Sequence, residues 1–388
     1  MFRAIAVFIT LFLLTISADA RPKPSALATA PLSQRMQPAG TLLDYKRINL
    51  GPFYRAKGWR ILYVTRDYQK RPILSTGMVV LPDYAPKVPM ERKFIAWGHP
   101  TTGVARKCAP SLRQKPTESI LGLNALVTAG LVVAATDYPG LGTEGPVGYL
   151  VGKGQAYAMI DSVRAARQIP GVGGSKTYGL WGYSQGGHAV LFAAEEAASY
   201  APELALVGAA AVAPPTDLAK LLRANIGTLE GRVLASMTIA SWVRKYGVSP
   251  DMLIDAQVRR VVEDVNSNCV DDVGGQLDIL AAQKPLQKKF LNFDPGSRKP
   301  WSRLLWENSI FSLNTRVPLY IAQGSSDSLV RPEVTLNFAR TSCQQGVVVR
   351  YVALPGKGHT TSAQAAAPGA IAWLVSRLKG QPAPNNCR

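Results

Sequence analysis

The chain has 388 residues, 47% of them hydrophobic, and a formal net charge of +19. Its Lys and Arg residues are scattered rather than run together, and no basic motif interleaved with aromatics occurs, so the charge is not a nucleic-acid footprint. No two of the four cysteines are close in sequence, which argues against a cysteine-based metal site.

Phe2 and Arg3 lead into an apolar stretch from Ala4 to Ile16 and then Ala18-Asp19-Ala20, a small-residue cleavage pattern, so residues 1–20 read as a signal peptide. The apolar stretch falls short of the roughly 20 residues that span a bilayer, and no later stretch is long and apolar enough. The expected location is therefore secreted or periplasmic. Removing the segment leaves the charge at +19, because it holds one Arg and one Asp. Such a balance favours association with an anionic envelope or lipid surface. Residues 21–43, rich in Pro, Ala and Ser, read as a loosely held N-terminal arm, followed by one domain over 44–388.

Trp59 to Thr65 and Pro72 to Leu81 alternate around a polar turn at Asp67 to Arg71, the pattern of an antiparallel hairpin. Strand patterns recur at Phe94 to Trp97, Leu131 to Ala135, Thr177 to Trp181, Leu206 to Val212, Leu319 to Gln323 and Val347 to Ala353. Helical stretches lie between most of them, which predicts an α/β fold: a mostly parallel sheet covered on both faces. The gap after the sixth strand is far longer than a crossover needs. Its apolar residues take helical spacing (Leu218, Leu221, Leu222; Val233, Leu234, Met237, Ala240, Val243; Leu253, Ala256, Val261), so 215–311 reads as an inserted helical cap. Most of these faces should pack on the core and on each other, with the remainder lining an acyl pocket.

Gly182, Tyr183, Ser184, Gln185 and Gly186 form G-x-S-x-G after one strand, with a helix expected from His188 to Tyr200. A serine on that sharp turn has its hydroxyl lifted clear of the sheet, and the flanking glycines leave room for the turn. A serine hydroxyl needs a histidine base, itself oriented by a carboxylate. Of the three histidines, His188 lies on the serine's own helix and reads as structural, and His99 sits in a loop with another task. His359, following the strand over 347–353, completes the chain order serine, acid, histidine of an α/β-hydrolase. Asp327, at the end of the Gly324-Ser325-Ser326 loop, is the expected acid; Glu333 stands in reserve but should open the next helix. Two backbone N–H groups must face the developing oxyanion. Gln185 supplies one. Pro100 has no N–H to give, so the second is assigned to Thr101 in the loop Gly98 to Gly103.

The nucleophile segment, Trp97-Gly98-His99-Pro100-Thr101-Thr102-Gly103 with Cys108-Ala109-Pro110-Ser111 behind it, and Asp137-Tyr138-Pro139-Gly140-Leu141-Gly142-Thr143 together resemble the secretory lipase family of α/β-hydrolases, which includes lipases of the Candida lipase A type and bacterial relatives. The similarity runs from about Tyr63 to Arg377. It implies Ser184, Asp327 and His359 as the triad, esterase or lipase activity on acyl-ester or lipid substrates, and neither a metal nor an organic cofactor. Pro100 departs from the family, where glycine usually follows the histidine, and this bears on the second oxyanion donor. Four cysteines in an exported chain allow three pairings. The resemblance selects Cys108 with Cys269 and Cys343 with Cys387.

Two other motifs are set aside. Gly140 to Gly145 spells G-x-G-x-x-G with Asp161 downstream, but Pro146 and further glycines follow, so no helix starts on that turn to receive a pyrophosphate. Asp264, Asn266 and Asn268 mimic a calcium loop that has Cys269 where glycine is required. Rival functions on the same fold are a peptidase or acyltransferase, and a non-catalytic envelope-binding protein.

Overall fold

The computed structural model describes residues 33, 36–51, 55–84, 91–267, 269–270 and 289–387, so the signal-peptide reading of 1–20 lies outside the described residues, as does Asn268. The strands are β1 (Leu42–Ile48), β2 (Ala56–Arg66), β3 (Pro72–Pro82), β4 (Phe94–Gly98), β5 (Val132–Thr136), β6 (Thr177–Tyr183), β7 (Ala205–Val212), β8 (Leu319–Gly324) and β9 (Val349–Leu354). They form one sheet in the order β1-β2-β3-β5-β4-β6-β7-β8-β9. The β2–β3 hairpin pairs in register from Ala56↔Pro82 to Arg66↔Pro72, and β3 joins β5 antiparallel. From β5 to β9 every pairing is parallel.

β1 is an addition to the sequence reading, so the long gap follows β7. It pairs with β2 at the sheet's edge, and its sequence LLDYKRI is mostly exposed. An edge strand with Asp44, Lys46 and Arg47 facing water lacks the alternation that betrays a strand, and those charges also discourage pairing with another chain. The last two residues of the expected arm, 42–43, therefore belong to the sheet.

The helices are α1 (Leu123–Thr128), α2 (Gly152–Ala166), α3 (Gln185–Tyr200), α4 (Leu218–Asn225), α5 (Leu229–Tyr246), α6 (Ala256–Val265), α7 (Trp301–Glu307), α8 (Pro332–Gln344) and α9 (His359–Leu378). The central strands β4 and β5 are buried on both faces because helices cover both. In β4, Phe94 and Ala96 face one core with α2 and α3, while Ile95 and Trp97 face the other with α1 and α9. After the Gly140 to Gly145 turn the chain does not enter a helix until Gly152.

Between β7 and β8 the described residues form α4 to α7, and residues 271–288 of the expected cap lie outside them. Asp217, Thr228 and Asp255 cap the first three of these helices, accepting from the amides of Lys220, Gly231 and Val258 at 2.8–3.0 Å, and Gly247 ends α5 in the left-handed conformation. Their apolar faces build a third cluster around Trp242, Trp301, Met237 and Ile239. In α6 the buried stripe is Val258, Val262 and Val265; Ala256 is exposed and Val261 only partly covered, so the expected stripe was out of phase. Leu253 precedes the Asp255 cap, so a periodicity that includes it crosses a break in the helix.

Two disulfides join distant segments: Cys108–Cys269 across 161 residues and Cys343–Cys387 across 44. Each contributes roughly 2–4 kcal/mol, largely by restricting the unfolded chain. The first ties the chain behind the Gly98 to Gly103 loop to the segment after α6, and Val270 N–H donates to the Thr102 carbonyl beside it at 3.1 Å.

Candidate active site

Ser184 stands between the last residue of β6 and the first of α3, with φ 56° and ψ −119°. A non-glycine residue holds such a conformation only where its surroundings over-determine it. Here the Ser184 N–H donates to the Val212 carbonyl at 2.9 Å, and its own carbonyl accepts from His188 N–H at 3.0 Å. The motif glycines are required by contact: a Cβ on Gly182 would strike the Gly186 carbonyl, and one on Gly186 the Gly98 carbonyl.

His359 is the first residue of α9. Its Nε2 lies 2.9 Å from Ser184 Oγ and its Nδ1 2.8 Å from Asp327 Oδ2. The Tyr183 ring packs against the imidazole with centroids 5.0 Å apart. Asp327 follows β8 and is buried, with Oδ1 accepting from the Leu329 and Val330 amides, each at 2.9 Å, and Oδ2 from Gln323 Nε2 at 3.0 Å as well as from His359. Burial pushes its carboxyl up, but the bond and charge of His359 with the Val330 and Gln323 donors outweigh burial and hold it below the ordinary value. Since a carboxylate only accepts, His359 carries its proton on Nδ1, leaving Nε2 as the acceptor for the serine hydroxyl. Glu333 lies exposed in the first turn of α8.

His188 is fully buried in α3, with Nε2 donating to the Asn308 carbonyl at 2.8 Å. Burial pushes its pKa down to about 4, so it is neutral near pH 7. His99, also buried, places Nδ1 2.6 Å from the Pro100 carbonyl and Nε2 3.2 Å from the Asp137 carbonyl. The loops after β4 and β5 are thus joined at this ring. Asp137 anchors the second of them: its buried carboxylate accepts from Thr76 Oγ1 and from the Ser111 amide and hydroxyl. Burial raises its pKa against those donors.

Gln185 opens α3, where the first amides have no intrahelical acceptor. Gln185, Thr101, Ser184 and His359 share the wall of one cavity of about 410 Å³. Its other walls come mainly from the segment after β7. Along α5, Gly231, Leu234, Ala235, Thr238, Ile239 and Trp242 recur at helical spacing; α4 adds Leu218, Leu221 and Leu222, and α7 adds Trp301 and Leu305. The interior is therefore largely apolar. Sequence reasoning missed Tyr149, whose hydroxyl meets Thr101 Oγ1 at 3.1 Å and which also lines the cavity; no spacing rule points to it. Tyr183 was readable, as the residue before the serine.

A profile of the family described as secretory lipase matches residues 115–386. Lipase 5 of Candida albicans is 26% identical over 366 residues, 87% of this chain and 75% of that protein. A Mycobacterium tuberculosis protein named as a probable inactive lipase is 26% identical over 348 residues, 83% of this chain and 74% of its own. In fold, the chain superposes on the X-ray structure of Candida antarctica lipase A in its closed state with a TM-score of 0.77, at 17% identity, covering 94% of this chain and 88% of that one. With the family profile spanning most of the chain, the protein belongs to the secretory lipase family and is a carboxylic ester hydrolase.

Proposed function

We propose that Ser184, His359 and Asp327 are the catalytic triad of this ester hydrolase and that it works through an acyl-enzyme. The observation that carries this reading is the continuous hydrogen-bonded line from Ser184 Oγ through His359 to Asp327, at 2.9 and 2.8 Å. His359 Nε2 takes the hydroxyl proton as Ser184 Oγ bonds to the ester carbonyl carbon, and the oxyanion is met by the amides of Gln185 and Thr101. The tetrahedral species collapses and the alcohol leaves with that proton. Water, activated by the same nitrogen, then releases the acid and restores the serine. Asp327, ionised across the working range because its pKa is lowered, stabilises the imidazolium formed at each step.

The described residues of the segment 215–311 act as a helical cap, and the apolar cavity beneath them takes the acyl chain. The name of the Candida albicans relative, a lipase, supports ester or lipid substrates. The family's description, together with the reading of 1–20 as a signal peptide, supports export. The +19 charge supports association with anionic lipid or envelope surfaces, a reading that rests on the charge alone. Hydrolysis of a p-nitrophenyl ester by wild type and Ser184→Ala is the test. The variant should lose activity by several orders of magnitude, and equal rates would end the proposal.

A further inference from the structure

Pro100 removes one N–H from the loop that faces Ser184, so the aim of the next peptide unit becomes critical. In a planar trans peptide the carbonyl of one residue and the N–H of the next belong to a single rigid unit and point in opposite directions. The Pro100 carbonyl and the Thr101 N–H are such a pair. Whatever holds that oxygen also aims that hydrogen.

His99 Nδ1 lies 2.6 Å from the Pro100 oxygen. A carbonyl can only accept, so the contact is a hydrogen bond only when Nδ1 carries a proton. The ring has little freedom to leave this position. It is buried, the Tyr138 ring packs on it at 4.4 Å, Nε2 faces the Asp137 carbonyl at 3.2 Å, and Tyr138 Oη donates to the His99 carbonyl at 3.3 Å. Behind it, Asp137 is fixed by Thr76 and Ser111, and the Ser111 carbonyl accepts from the Arg60 guanidinium.

We infer that His99 is a positioning residue for the reaction: its Nδ1–H holds the Pro100 carbonyl and so aims the Thr101 N–H at the oxyanion. The inference rests on the assignment of Thr101 as the second oxyanion donor. The bond acts at a distance from the reacting atoms and also polarises the Thr101 amide, since accepting at the oxygen strengthens donation at the nitrogen of the same unit. Because both ring nitrogens face carbonyl oxygens, only the doubly protonated ring makes both bonds. The neutral ring makes one, and the shorter contact marks Nδ1 as the nitrogen that keeps its proton.

Two measurements test it. In the full chain labelled with 15N-histidine, whose three histidines are assigned with His188→Gln and His359→Gln, the His99 Nδ1 resonance should be that of a protonated nitrogen throughout the active pH range. For His99→Phe, which keeps a ring against Tyr138, kcat should fall about 10- to 100-fold with KM within about twofold, as expected when a transition-state donor is misaimed. His99→Asn, which can return an N–H near the Nδ1 position, should recover most of that loss. A bare Nδ1 overturns the inference whatever the kinetics. A protonated Nδ1 with wild-type kcat in a folded His99→Phe enzyme overturns the positioning role of His99 and leaves the assignment of Thr101 standing. Neither result touches the triad, which fails only if Ser184→Ala stays active.

Discussion

The turn at Ser184 and the helical segment after β7 meet at one cavity but are specified by different physics. At Ser184 the constraints are backbone against backbone: Gly186 lies so close to the Gly98 carbonyl that no side chain fits, and Ser184 is held at φ 56° by bonds from both sides. In the segment after β7 the cavity wall is made of side chains on α4, α5 and α7, and many alternative sets of similar volume would pack there. The first region fixes the chemistry and tolerates almost nothing. The second sets what fits and can drift.

The largest expected effect falls on the triad. His359→Gln and Asp327→Asn should each lower kcat by roughly ten-thousandfold while leaving the fold intact, measured as ester turnover alongside a thermal melt. Glycine substitutions come next and compare the two regions directly. Gly186→Ala should abolish folding or cost at least ~3 kcal/mol, because the new Cβ collides with backbone that cannot retreat. Gly227→Ala, in the segment after β7, meets nothing within 4 Å and should be close to neutral in the same melt.

A third effect depends on pH. His188 is held neutral with a pKa of about 4 against an ordinary 6.5. The unfolded chain therefore binds this proton first, so the stability tied to His188 is intact above pH 6.5 and is lost as pH falls toward 4, by about 3 kcal/mol in all. His188→Gln, which can keep a donor toward the Asn308 carbonyl, should flatten that part of the stability profile; an unchanged acid slope would count against it. The smallest effect belongs to the cavity wall. Ala235→Leu should shift selectivity toward shorter acyl chains by about tenfold between long and short esters, with turnover of an acetate ester little changed.

The same contrast explains what could be read from the sequence. The glycines around Ser184, and the order serine, acid, histidine, are legible because tight turns and strand-end loops admit few residue types. The central strands of the parallel sheet stand out as short apolar runs because both faces are buried. β1 does not, since its exposed Asp44, Lys46 and Arg47 erase the alternation. The phase of α6 depends on the Asp255 cap as its boundary, which apolar spacing alone does not reveal. Which residues of the cluster around Trp242 also line the cavity follows from tertiary packing, and helical spacing alone cannot separate Leu234, which lines it, from Val233, which does not. The disulfide pairs came from family likeness, because spacing leaves all three pairings open. The place of His99, joining two loops through two carbonyls, has no signature in the letters around it.

The most direct measurement is covalent labelling. A fluorophosphonate given to the folded wild-type enzyme should form one adduct, located by mass spectrometry on Ser184, and His359→Gln should suppress it. A folded wild-type protein that stays unlabelled, or one labelled elsewhere and equally fast in the His359 variant, would contradict the account.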